Sequence, residues 1–351
     1  SGAQITLMSL PGTNISNRQS SAGVVAPDLE FTDAVGDAQN QKYTNLQFGG
    51  GGRGPITLDR HFYNTSFGLG RNFKDLPSLL NTSALGLASA GVSRDSVTRL
   101  LDILRNANIP ATLPDAPRLQ ATNTATVQAN FDVTPSSSGT GNAFTIGLLG
   151  NIRQSQQVTM GGNSILTVPA HNGETSAWGG TISLRHTNYL WFGVLSNTTA
   201  GINVSGSDAE PYLRLPNGSV RINSDLEDGS SAVRSLSFGG HPFLSNSSRN
   251  RAMEVTNELR WYAGNNKHAL KLMTNIRHEQ FTVDQGANLY GSFSYNSLAD
   301  LELGRPASFG RVLFAPKQEG SQVTGAMSFG DFWRPTPSVQ IQYGLRVDGN
   351  H

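Results

Sequence analysis

The sequence predicts an all-β protein, an antiparallel up-and-down barrel segment that crosses a membrane with strands and carries short helices in its long loops. Three observations predict it. Segments alternate strictly between apolar and polar residues, the connections between them alternate between short and long, and aromatic rings gather beside the short ones.

Alternation is clearest near the C-terminus, where Val339, Ile341, Tyr343, Leu345 and Val347 share one face against Gln340, Gln342, Gly344, Arg346 and Asp348. A period of two is the mark of a strand with one apolar and one wet face. The same pattern runs through Ala125 to Val133, Phe144 to Ile152, Met253 to Trp261 and Leu270 to Ile276. Weaker candidates lie at 42–48, 58–71, 177–186, 190–204 and 322–333, where glycine or a break in alternation dilutes the signal. Short turns are expected at 49–57, 135–141, 186–189, 264–267 and 334–337, each rich in Gly, Pro, Asn or Ser. Long excursions are expected at 72–121, 154–173, 205–250 and 285–317, and short and long never exchange places. Outer-membrane barrels have this rhythm, with brief periplasmic turns at one rim and long loops at the other. Tyr189 with Trp191, Trp261 with Tyr262, and Phe332 with Trp333 adjoin short turns, at the level where amphipathic rings prefer to sit.

Composition agrees. Only 37% of the 351 residues are hydrophobic and 39 are glycine, too polar for helical spans and too glycine-rich for a helical bundle. No run approaches the ~18 consecutive apolar residues of a spanning helix, so membrane contact requires a barrel. A net charge of +1 gives no field that would favour nucleic acid, and the absence of cysteine removes thiolate metal sites, disulfides and thiol catalysis. The start at Ser1 and the stop at His351, directly after a well-patterned strand, read as cut ends of a longer chain.

The long excursions carry their own signals. Ser93 is placed to cap a helix with Val97, Leu100, Leu101 and Leu104 on one face, ending before Pro110. Asn296 or Ser297 is placed to cap a shorter one through Leu298 to Leu303, closed by Gly304 and Pro306. Asn217-Gly218, between Leu213-Arg214-Leu215 and Val220-Arg221-Ile222, predicts a type I′ hairpin turn. These loops are expected to be folded.

The run Phe48-Gly49-Gly50-Gly51-Gly52-Arg53-Gly54-Pro55-Ile56, followed by Asp59-Arg60-His61-Phe62-Tyr63, resembles the early periplasmic hairpin of TonB-dependent outer-membrane receptors of the Oar-like branch. Gly2 to Leu7 and Pro11-Gly12-Thr13-Asn14 look like the end of that family's plug domain. Asn266 to Leu272, Gly291 to Leu301, Gly304-Arg305-Pro306 and Gln342 to Asp348 follow in the family's order. The resemblance implies the end of a plug at 1–14, a partial receptor barrel over 15–351, and a full barrel of 22 strands, of which roughly eleven candidates, about half, are present here. It also implies an outer-membrane location, a scarce nutrient as ligand, and outer-membrane lipid and the TonB complex as partners, the latter reached through an N-terminal region outside this sequence.

Residue chemistry offers little else. Glycines 49–52 are not followed by Gly-Lys-Ser/Thr, so they read as a turn and not a phosphate cradle. Asn223, Asp225, Glu227 and Asp228 before Gly229 approach calcium-loop spacing without the closing Glu, which favours a solvated hairpin. The seven histidines show no metal spacing, and no serine elbow is present. The expectation is therefore no enzyme, no cofactor, no metal and no nucleic-acid partner. Tyr212 and Arg214 in one long loop, and Tyr290, Tyr295 and Arg305 in another, are the groups best suited to stack on or hydrogen-bond a ligand, set against plain loop packing. The rival architecture is a secreted or surface all-β sandwich or adhesin module, whose apolar strand faces would meet a second sheet.

Overall fold

A computed structural model of the chain describes residues 13–26, 29, 43–114, 116–134, 142–159, 164–190, 193–226, 229–263, 266–314 and 316–351. Most of the proposed plug end, the 135–141 turn, Trp191, and Glu227 with Asp228 lie outside the described residues.

The wall of the molecule is a single antiparallel sheet of eleven strands. In chain order these are β1 (Asn17–Val25), β2 (Thr44–Thr57), β3 (His61–Asp75), β4 (Leu119–Val133), β5 (Ala143–Val158), β6 (Gly173–Tyr189) and β7 (Leu195–Pro211). The wall continues with β10 (Asn246–Ala263), β11 (His268–Gln285), β14 (Lys317–Thr336) and β15 (Val339–Asn350). Each strand pairs with its neighbour in the wall, while among the described residues β1 and β15 pair on one side only, so the wall they form is open. A second, four-stranded sheet, in the order β13 (Ser308–Gly310), β12 (Ser292–Tyr295), β8 (Asn217–Asp225) and β9 (Ser231–Gly239), is built entirely from the long loops.

Register carries the alternation across the wall. The cross-strand row Ala129, Leu148, Ile182, Ile202 and Met253 is apolar throughout. Ile182 is 56% exposed and Met253 55% exposed. A sandwich would bury such a row against a second sheet, so the rival architecture is set aside. This is a single-layer wall with an apolar face for lipid.

Several sequence expectations are corrected. The 49–57 turn does not form there: β2 runs unbroken to Thr57, and the turn falls on Leu58-Asp59-Arg60, with Asp59 at φ 61° and its N–H donating to Asn14 Oδ1 at 2.9 Å. The glycines serve the strand. A Cβ on Gly50 would come within 3.0 Å of the Phe67 ring, so the bare position leaves room for that ring beside the strand. The turn expected at 186–189 falls just after Tyr189, because β6 stays paired to that residue. Asn217-Gly218 is no hairpin turn either. Both residues lie inside β8, and a Cβ on Gly218 would sit 2.2 Å from the Phe238 ring. That glycine is required for close packing, not for a positive φ. β1 escaped sequence detection because Asn17-Arg18-Gln19-Ser20-Ser21 offers no apolar alternation.

The two expected helices form, and a third, α1 (Ala84–Ser89), was not foreseen. It precedes α2 (Arg94–Asn106), whose N-cap is Ser93, with Oγ accepting from Ser96 N. α3 (Leu298–Glu302) is capped by Ser297, and Gly304 beyond its end takes φ 63°.

Candidate functional site

The long loops fold into one body above the wall. Leu100 and Leu104 of α2, Val220 of β8 and Leu236 of β9 have no exposed surface, and Leu298 and Leu301 of α3 close the cluster. Aliphatic burial of this kind contributes about 1.5–3 kcal/mol per side chain, so these loops hold a shape that a ligand can meet. β12 joins β8 in parallel, which brings the 217–239 and 286–316 loops into one sheet.

A buried polar network fastens this body to the rim. Gln157 leaves the β5 register at φ 55°. Its N–H donates to Tyr212 Oη at 3.1 Å, and its Oε1 accepts from Asn172 Nδ2 at 2.8 Å. Thr159 Oγ1 donates to Asn172 Oδ1 at 2.9 Å. Satisfied amides in a dry setting are strong and directional, so they set the angle at which the loops leave the strands. Beside them His171 and His241 are both buried, with ring centroids 5.0 Å apart. His171 Nδ1 lies 3.3 Å from the Gly239 carbonyl. Burial, and then the neighbouring His241, lower the His171 pKa from 6.5 to about 4. Sequence reading missed this joint. Its one visible trace is the loss of strand alternation before Asn172.

The five candidate ligand residues separate. Tyr212 is committed to the joint, and burial raises its pKa while the Gln157 N–H works the other way. Tyr295 packs against the loop core, and burial raises its pKa too. Arg214 and Tyr290, from different loops, meet at a depression of about 260 Å³ whose other polar groups include Asp208, Glu210 and Asp284. Arg214 stands 3.9 Å from Glu210. Arg305 is exposed just after α3, its backbone N–H donating to the Asp300 carbonyl. A larger hollow, about 510 Å³, opens among Leu76, Leu80, Thr112 and Arg118 with Gln157 at its base. Asn223 and Asp225, drawn toward calcium by spacing, stand on β8 paired with Val233 and Ser231. Among the described residues no cluster of three metal-ligating side chains occurs.

A single-layer wall, apolar outside and polar inside, with folded loops at one rim, defines an outer-membrane β-barrel protein. The chain belongs to the family described as outer membrane beta barrel domain, whose model matches residues 96–350. Its fold is similar to that of the outer membrane transporter YddB from Escherichia coli, with a TM-score of 0.53 at 12% identity over 95% of this chain and 39% of that one. A mutant ferric enterobactin receptor from Pseudomonas aeruginosa gives a TM-score of 0.44 at 10% identity over the same shares. The chain thus spans 39% of the length of each of these two structures. None of the curated proteins compared with it matches.

Proposed function

We propose that this chain supplies wall and outer loops to a TonB-dependent receptor of the Oar-like branch, which captures a scarce nutrient outside the cell and admits it through a plugged barrel. The observation that carries this reading is the folded loop body locked to the rim of a transporter-like wall. A structural barrel needs no such body, whereas a receptor needs a preformed surface. In this reading Arg214, Tyr290 and Arg305 meet the ligand, Tyr212 and Tyr295 hold the loops that present them, and the protein does no covalent chemistry. Energy for passage comes from the TonB complex through a part of the receptor outside this sequence.

The test uses the full-length receptor in its own cells. Uptake of its nutrient, sought by growth on single limiting sources, is expected to vanish when the receptor gene or the TonB energy supply is removed, with the receptor still in the outer-membrane fraction. Uptake that persists without TonB overturns the proposal.

A further inference from the structure

Charge is distributed unevenly over the polar, lumen-facing side of the wall. On β10, β11, β14 and β15 the charged groups are plentiful and mostly paired: Lys271 with Glu258 at 2.7 Å, Arg277 with Glu279 at 3.1 Å, and Arg346 with Asp348 at 2.7 Å, while Glu254 accepts from Asn275 Nδ2. On β1 to β7 two adjacent cross-strand rows carry no charge at any position. One runs from Ser21 through Gly49, Gly68, Thr126 and Asn151 to Gly179, then ends on β7 at Ser205. The next includes Gln19, Ser66, Gln128, Thr181 and Asn203, with Leu149 as its apolar member. Charges on this side stand only at the margins of the field: Arg53, Asp132 and Arg185 toward the short-turn rim, and Lys74 and Arg153 toward the loops.

The glycines in this field let polar groups lie flat. A Cβ on Gly179 would be 2.8 Å from Asn151 Oδ1, and one on Gly68 would be 3.0 Å from Thr126 Oγ1. The surface is a smooth array of amides and hydroxyls, with a hollow of about 350 Å³ where Gly51 lies between Gln19 and Ser66 and Arg53 closes one side. An ion moving along such a surface gives up hydration without meeting a counter-charge. A polyhydroxylated neutral molecule exchanges its water bonds for amide and hydroxyl bonds of equal kind.

We infer that the lumen face of β1 to β7 is a passage for an uncharged, hydroxyl-rich substrate with the chemistry of an oligosaccharide. This rests on the receptor reading above, because it names the class of nutrient that the same wall would admit. Ions and charged chelates are disfavoured by the same surface, and most of the charges of β10 to β15 are already held by one another.

Purified full-length receptor in detergent is applied to an array bearing neutral oligosaccharides beside sulfated and uronic-acid-bearing ones, and uptake of the labelled best binder is then followed in cells. Binding and uptake confined to neutral glycans are expected. Replacing Asn151→Lys and Gln128→Lys together is expected to shift the neutral-to-anionic uptake ratio at least about tenfold toward the anionic glycans, with outer-membrane insertion unchanged by heat-modifiable mobility. Preference for the acidic glycans, absence of glycan binding, or a ratio that the lysines leave unmoved overturns the inference. The receptor reading fails separately: neutral glycans bound but taken up without TonB sink that reading alone, and TonB-driven uptake of a charged nutrient sinks the inference alone.

Discussion

Two buried residues carry measurable consequences. His171 is neutral in the folded loops at neutral pH, and its pKa is lowered to about 4 by burial and by His241. An unfolded histidine protonates near 6.5, so the loop body is at full stability above that pH, loses stability as pH falls from 6.5 to about 4, and loses no more from this group below it. The whole effect is about 3 kcal/mol. Hydrogen exchange of amides in 164–172 and 231–244, corrected for intrinsic rates, is expected to speed up over this window in the wild type and much less in His171→Phe. Equal acid response in the two proteins removes His171 as the cause. Gly218 is the second case. With Phe238 only 4% exposed and its ring 2.2 Å from a would-be Cβ, Gly218→Ala has nowhere to push the ring. A cost of about 1–3 kcal/mol is expected, read as protease cleavage within 212–245 while the wall keeps its heat-modifiable mobility.

At the scale of elements, the loop body rests on α2. Leu100 is fully buried in the loop core and Ser93 caps the helix N-terminus. Leu100→Ala is expected to cost about 2–5 kcal/mol and Ser93→Ala about 1 kcal/mol. If the protein is the proposed receptor, ligand binding should fall steeply in the first and slightly in the second, with equal amounts of protein in the membrane. Ligand affinity unchanged in Leu100→Ala would mean that the loops bind without this core. Both residues were visible in the sequence, because helix caps and a four-residue apolar spacing are local signals. The 49–57 and 217–218 turns were misread for a related reason. Glycine marks a turn when a positive φ is needed, but here it marks close approach by Phe67 and Phe238, which only the three-dimensional register brings near. The joint among Gln157, Asn172, His171 and Tyr212 was illegible on the same grounds, since its members come from separate loops and strands.

At the scale of the whole molecule, the alternation that a single strand displays becomes a property of the entire wall. The faces were legible because each strand states its own parity, and pairing merely lines the parities up. The two uncharged rows on β1 to β7, set against the crowded charges of β10 to β15, were not, because they appear only when rows are followed across strands. Neighbouring residues at mid-wall test the assignment of faces. Ile182 and Thr181 are adjacent on β6, Ile182 in the apolar row with Leu148 and Ile202, Thr181 beside Leu149 and Asn203 on the lumen side. Ile182→Arg puts a cation toward the hydrocarbon and is expected to cost about 2–4 kcal/mol. Thr181→Arg keeps its charge in the aqueous lumen, where the wall's stability should change little. Urea unfolding from lipid vesicles with the full-length protein should separate the two variants by that margin. A larger loss in Thr181→Arg would reverse the assignment of the faces, equal losses would remove its support, and either would unseat the proposed passage.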